Sequence, residues 1–149
     1  YTGTSMKYFN HVHLGMAVDT DRGLMVPTIF NADQKSLNEI AIESKKLAEA
    51  CRTGKINPYL LQGGTFTVTN LGGLGVESFT PVINPPQTAI LGVCNIVQRP
   101  IMTDKGISLY PAMGLSLTFD HRAVDGAPAA KFLKDLGEAL ESFELLMAI

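Results

Sequence analysis

The ten residues TAILGVCNIV, Thr88 to Val97, read as a strand that is apolar on both faces. Such a strand needs cover on each side, which places it inside a sheet rather than on an open surface. The rest of the chain supplies neighbours and cover. VHLGMAV (Val12 to Val18) and LMVPTIF (Leu24 to Phe30) are apolar strands joined by the turn DTDRG. TFTVTN (Thr65 to Asn70) is a β-branched strand, TDKG a hairpin turn, Ile107 to Met113 the returning strand and LSLTF a further one. A helix opens at Ser36, with Glu39 at the capping-box spacing. Leu37, Ile40, Ala41, Leu47, Ala48 and Cys51 share its apolar face, and Gly54 ends it. NPYLLQ is a short helical turn capped by Asn57, with Pro58 in first position. A last helix begins near Ala127 and turns Phe132, Leu133, Leu136, Leu140 and Phe143 inward. Strands with two covering helices make an α/β or α+β sandwich.

The 149 residues suffice for one domain with a sizeable core. Charged residues are 17% of the chain, below the ordinary share of roughly a quarter. With 46% hydrophobic residues, this predicts surface buried by partner subunits. Twelve basic and 14 acidic residues leave a net charge of -2, without a run of Lys or Arg. That argues against nucleic acid and anionic membranes as partners. No apolar run reaches the roughly 18 residues of a membrane span, and no secretory signal is read. Cys51 and Cys94 have neither disulfide-framework nor metal-site spacing, which points to a reducing compartment. The opening YTGTSMKYFNHVHLGMAV lacks an initiator Met and reads as part of a longer chain.

Three stretches are candidates for chemistry. NLGGLG follows a strand, but lacks both G-x-G-x-x-G and the Gly-Lys-Ser/Thr ending of a phosphate loop. It reads as a bend that lets backbone approach something closely. His11 and His13 share a strand face, which suits half of a metal site or a plain polar strand end; a third ligand at matching spacing is lacking. SLTFDHRAVDGAPAAKF, Ser116 to Phe132, crowds Asp120, His121, Arg122 and Asp125 at one strand-to-helix corner. Histidine suits proton transfer near neutral pH. Asp125 lies within reach four residues on, Gly126 loosens the turn, and Arg122 suits a carboxylate. Lacking a G-x-S-x-G elbow, the chain leaves His121 to activate a nucleophile that belongs to a substrate.

FDHRAVDGAPAAKF carries the D-H-R-x-x-D-G pattern and resembles the catalytic (core) domain of the dihydrolipoamide acyltransferases of 2-oxo acid dehydrogenase complexes. LGMAVDTDRGLMVPTI, LQGGTFTVTNLGGLGVESFTPVINPPQTAILGV and the final helix resemble that family too, in order, so the resemblance covers nearly all of the chain from His13 onward. It implies a chloramphenicol-acetyltransferase-like α/β (α+β) sandwich, a mixed sheet covered by helices. It implies one catalytic domain over residues 1–149, without the family's first helix and strands, whose basic residues meet the coenzyme A phosphates. The implied reaction moves an acyl group, acetyl foremost, between a dihydrolipoyl arm and coenzyme A. His121 matches the catalytic histidine, and Thr69 the serine or threonine hydroxyl that steadies the oxyanion. Asp125 matches an Asp or Asn that orients the loop and supports charge on His121. Asp19, Cys94, Asn95, Ile96 and Met113 align with coenzyme A contacts, although strand packing accounts for them equally well.

By the same resemblance coenzyme A is a substrate, the lipoyl group rides on a separate lipoyl domain, and no metal takes part. The implied partners are the chain itself as a homotrimer or multiples of trimers, of about 24 or 60 chains. Lipoyl domains and the 2-oxo acid decarboxylase and dihydrolipoamide dehydrogenase components complete the set. The compartment would be the cytoplasm in a bacterium and the mitochondrial matrix in a eukaryote. Acetyl, succinyl and branched acyl groups share all these motifs. Two rivals stay open: an acyltransferase of the same fold acting on a small amine or hydroxyl, and a non-catalytic assembly core.

Overall fold

The computed structural model describes residues 1–146, in which five strands form one mixed sheet. They are β1 (Leu14–Met16), β2 (Thr28–Ile29), β3 (Phe66–Asn70), β4 (Ala89–Thr103) and β5 (Gly106–Phe119), in the order β2-β1-β3-β4-β5. β1, β3 and β4 run parallel, and β2 and β5 lie antiparallel at the two edges. The helices are α1 (Leu37–Arg52), α2 (Gly126–Glu141) and the short α3 (Phe143–Leu146). The doubly apolar stretch is the inner part of β4, with Ile90, Leu91 and Cys94 buried.

Register sorts the side chains onto two faces. Phe66, Val68, Leu91, Val93, Leu117 and Phe119 share one. α2 lies on it, with Ala129 buried and the Phe132 ring meeting that of Phe66 edge-on at 6.0 Å. Thr67, Thr69, Ile90, Gly92, Ser116 and Thr118 share the other. There Thr67 is fully buried and donates to Gln87 Oε1 at 2.6 Å, which ties the loop before β4 to the sheet.

α1 starts and stops as its sequence demands. Glu39 N–H donates to Ser36 Oγ, and Ser36 N–H donates back to the Glu39 carboxylate at 2.8 Å. At the other end Gly54 adopts φ 68°, its N–H donating to Cys51 O and that of Lys55 to Ala50 O. This is the glycine-closed helix end, which a side chain with a Cβ would strain. Only Leu47 and Cys51 of the expected apolar face are buried, while Leu37 and Ala41 are exposed. The edge beside α1 is β2, two residues long, too short to cover a sixteen-residue helix.

Other expectations need correction. The strand read at Leu24–Phe30 shrinks to Thr28–Ile29, with an isolated bridge between Val18 and Met25. Pro27 lacks the N–H a longer ladder would use. The strands read as Ile107–Met113 and LSLTF are one strand, β5, because β4 continues past Val97 and pairs with it throughout. Phe132, Leu140 and Phe143 are exposed rather than buried. A cleft of about 440 Å³ remains open between α2 and the sheet, bordered by Phe66, Leu117, Phe119 and Pro128.

Between Val93 and Ile96 the β4–β5 register shifts, setting Cys94 and Asn95 against Gly114. Such a bulge bends the strand and re-aims its side chains. Beyond it the two strands run on as a ribbon. Ile96, Pro100, Met102, Ile107, Leu109 and Met113 share one of its faces, Met102 75% and Ile107 74% exposed.

Candidate active site

The corner after β5 is built by Asp120. Its N–H extends the ladder to Thr88 O, and its carbonyl accepts from the N–H groups of Ala123 and Val124. Its carboxylate accepts from the Arg122 backbone at 3.0 Å and from the guanidinium at 2.9 and 2.7 Å. Arg122 thereby holds the Asp120 carboxyl at about 2. The carboxylate expected for Arg122 is thus its neighbour's, and the pair locks the turn that presents His121. The sequence places Asp120 in the crowded corner without giving it a role; the signal for that role is an Asp at a strand end with an Arg two residues on, the pattern of a side chain that closes its own turn.

His121 projects from this turn with its side chain 72% exposed, its ring 5.8 Å from that of Phe119. Nδ1 stands 3.6 Å from Oδ1 of Asp125. That is too long for a hydrogen bond and close enough for attraction once the ring is charged. Asp125 caps α2 by position, yet its carboxylate makes no capping bond, which leaves it free to face His121. With Nδ1 turned toward Asp125, Nε2 is the nitrogen open to a substrate. Gly126 is the first residue of α2 with an ordinary negative φ, so the turn makes no use of its freedom.

Thr69 lies on β3 in register with Gly92 and, through it, Ser116. Two strand spacings of about 4.8 Å and three residues of about 3.4 Å rise separate it from Phe119, about 14 Å in all. His121 stands two residues past that strand end. A base and an oxyanion donor must each come within about 3 Å of the reacting groups. One chain therefore holds Thr69 and His121 as two candidate half-sites at opposite ends of the sheet.

At the Thr69 end, Cys94, Asn95, Ile96 and Met113 come together with Asn70 and Gly72 around an open depression of about 300 Å³. The bulge gathers them. The glycine loop closes the depression from β3: Gly72 N–H donates to Asn70 Oδ1, and a Cβ on Gly72 would lie 2.5 Å from Cys94 O. That is the close backbone approach expected of NLGGLG. Asp19 sits on an exposed turn after β1, outside this lining, although at the same carboxyl end of the parallel strands. Open sheets containing parallel strands bind ligands at that end. Cys51 is fully buried away from both half-sites, and burial pushes its thiol up.

The two other histidines have local partners. His11 Nδ1 lies 3.0 Å from Asp33 Oδ2, and His13 Nδ1 accepts from Asn31 N–H at 3.1 Å. Among the described residues no group of three or more side chains is arranged to hold a metal ion.

Residues 1–148 match the model of the 2-oxoacid dehydrogenases acyltransferase (catalytic domain) family. The chain belongs to that family. Among curated acyltransferases it is 45% identical over 141 residues to the dihydrolipoyllysine-residue acetyltransferase component of the pyruvate dehydrogenase complex of Cupriavidus necator, covering 95% of this chain and 25% of that protein. It is 46% identical over 145 residues to the dihydrolipoyllysine-residue succinyltransferase component of the 2-oxoglutarate dehydrogenase complex of Bartonella vinsonii subsp. berkhoffii, covering 97% and 35%. The chain thus spans about a quarter to a third of these relatives.

Its fold matches a dihydrolipoamide acetyltransferase of Azotobacter vinelandii, solved to examine one serine, one histidine and one asparagine in its catalytic mechanism. The TM-score is 0.92 at 41% identity, over 98% of this chain and 60% of that one. The cubic core of the pyruvate dehydrogenase multienzyme complex gives the same values. The fold is that of acyltransferase catalytic cores, as the resemblance implied. In the Azotobacter enzyme the three residues follow one another at the same intervals as Thr69, His121 and Asp125 here.

Proposed function

We propose that this chain carries the chemistry of a dihydrolipoyllysine-residue acyltransferase, moving an acyl group between a dihydrolipoyl arm and coenzyme A within the core of a 2-oxo acid dehydrogenase complex. The observation that carries this reading is the matched spacing of Thr69, His121 and Asp125, on a fold that presents an exposed imidazole with Asp125 as its one polar partner among the described residues. His121 Nε2 takes the proton of the incoming thiol, coenzyme A or dihydrolipoamide according to direction. The thiolate attacks the thioester carbonyl, and Thr69 donates to the oxyanion that develops. The carbon–sulfur bond to the departing thiol then breaks, and the departing sulfur takes the proton from His121. Asp125 orients the histidine loop and supports the transient charge on the ring. By spacing, Thr69 and Asp125 correspond to the serine and asparagine of the Azotobacter enzyme, and this pairing keeps a hydroxyl donor and an oxygen acceptor.

The depression lined by Asn70, Cys94, Asn95, Ile96 and Met113 suits the pantetheine arm, an extended chain of amides and methylenes. Among the described residues no cation lines it. Asp19 is kept as a contact near that end.

Because the half-sites of one chain stand apart, a complete site takes His121 from one subunit and Thr69 from another. A trimer closes such a ring with every half-site used. The ribbon of β4 and β5, apolar on one face, supports the same reading, since an isolated two-stranded hairpin is barely stable in water. Lipoyl domains and the decarboxylase and dehydrogenase components are the further partners. Both cysteines are free and buried, as suits a reducing compartment, the cytoplasm of a bacterium or the mitochondrial matrix of a eukaryote. The test is full-length His121→Ala: transfer should fall at least 10²-fold with assembly intact, and near-normal turnover in the folded variant would remove His121 as the base.

A further inference from the structure

Across the sheet face that carries Thr69, the segment from Val76 to Phe79 runs as a strap. It is fastened where Asn95 N–H donates to Val76 O at 2.7 Å. It then passes so close to β5 that a Cβ on Gly114 would stand 3.2 Å from Glu77 O. It ends with the half-buried Phe79 ring laid on Gly92, where an added Cβ would be 2.8 Å from Cζ. Two glycines thus form the track on which the strap lies. Gly92 is the β4 partner of Thr69, and residues in register point to the same face. The ring therefore fills the space one strand spacing, about 4.8 Å, from Thr69.

We infer that Phe79 limits the size of the acyl group at this site and makes it selective for a short, unbranched one. The inference rests on the acyl-transfer reading above. An oxyanion donor needs the thioester oxygen within about 3 Å of Thr69 Oγ1. The acyl carbons beyond that carbonyl then come within van der Waals reach of whatever occupies the neighbouring strand. On β4 this is a glycine whose side-chain volume is taken by an aromatic ring. The ring cannot yield toward the sheet, because it already rests on the backbone of Gly92. A branched chain would have to displace it together with the strap.

The experiment compares full-length wild type, Phe79→Leu and Phe79→Ala in transfer to dihydrolipoamide from acetyl-coenzyme A and from isobutyryl-coenzyme A, each as kcat/KM. The isobutyryl-to-acetyl ratio should rise at least about tenfold in Phe79→Ala and by less in Phe79→Leu, as expected for methyl-sized space in an apolar pocket. Val82→Ala, at a residue 86% exposed on the same loop, should leave the ratio unchanged. Both substrates meet the same preparation, so partial misfolding cancels from the ratio. A ratio within twofold of wild type in both Phe79 variants overturns the inference and leaves acyl transfer standing. Loss of both activities, in Phe79→Leu as well, marks the ring as packing alone and also overturns it. A wild type that transfers neither group overturns the acyl-transfer reading itself.

Discussion

Full-length His121→Ala and Thr69→Val chains, each inactive alone, should restore activity when they assemble together. The expectation follows from register: Thr69 pairs with Gly92 and through it with Ser116, and the strand end that leads to His121 is about 14 Å away. No rotamer change spans that gap, so on the proposed acyl-transfer reading the two groups meet across a subunit boundary. In a closed ring each site draws its histidine from one chain and its threonine from the next. With equal random mixing, a site is intact when a Thr69→Val chain supplies the histidine and a His121→Ala neighbour supplies the threonine. Each choice has a probability of about one half, so about a quarter of sites work and activity returns to about a quarter of wild type. The assay is transfer from acetyl-coenzyme A to dihydrolipoamide, on trimers whose mixed composition is verified by two affinity tags and native mass spectrometry. Verified mixed trimers without recovery would refute the shared site and require one chain to bring its own Thr69 and His121 together.

Thr69→Val should lower kcat by about 10²-fold with KM little changed, because the hydroxyl acts on charge that exists only near the transition state; a loss confined to KM would make it a binding residue. The Asp120 carboxyl, held at about 2 by Arg122 against 3.8 for a free one, contributes stability that is full above about pH 4 and is lost as pH falls through 2. Melting temperatures of wild type and Asp120→Asn should therefore differ near neutral pH and converge in strong acid, and a constant gap would deny the clamp. Met102→Lys combined with Ile107→Lys should break the assembly into smaller species in sedimentation velocity. Burying each of these exposed side chains is worth about 1.5–3 kcal/mol, so losing both weakens the contact by about 10²–10⁴-fold. Unchanged assembly would show that the ribbon's apolar face is not a subunit contact.

Much of the local structure was legible in the residues themselves. Ser36 with Glu39, Gly54, Asn57 with Pro58 and the TDKG turn mark their elements correctly, because caps and turns are settled by groups within a few positions of one another. The alternation of TFTVTN and LSLTF likewise predicts which side chains share a face. The DHRAVDG corner and Thr69 are singled out by resemblance, and the two intervals between Thr69, His121 and Asp125 equal those between the three residues examined in a solved relative. What neither pattern nor spacing could decide is how far apart the pieces stand. Composition does not reveal that β5 is one strand, since only its pairing along the whole of β4 makes it so. Nor does any local signal show that Phe79 settles on Gly92, thirteen positions later. Whether Thr69 and His121 cooperate within a chain or between chains depends on strand order, direction and register. Those are products of the whole sheet, set by contacts between segments far apart in sequence, and they put the two residues at opposite ends of it.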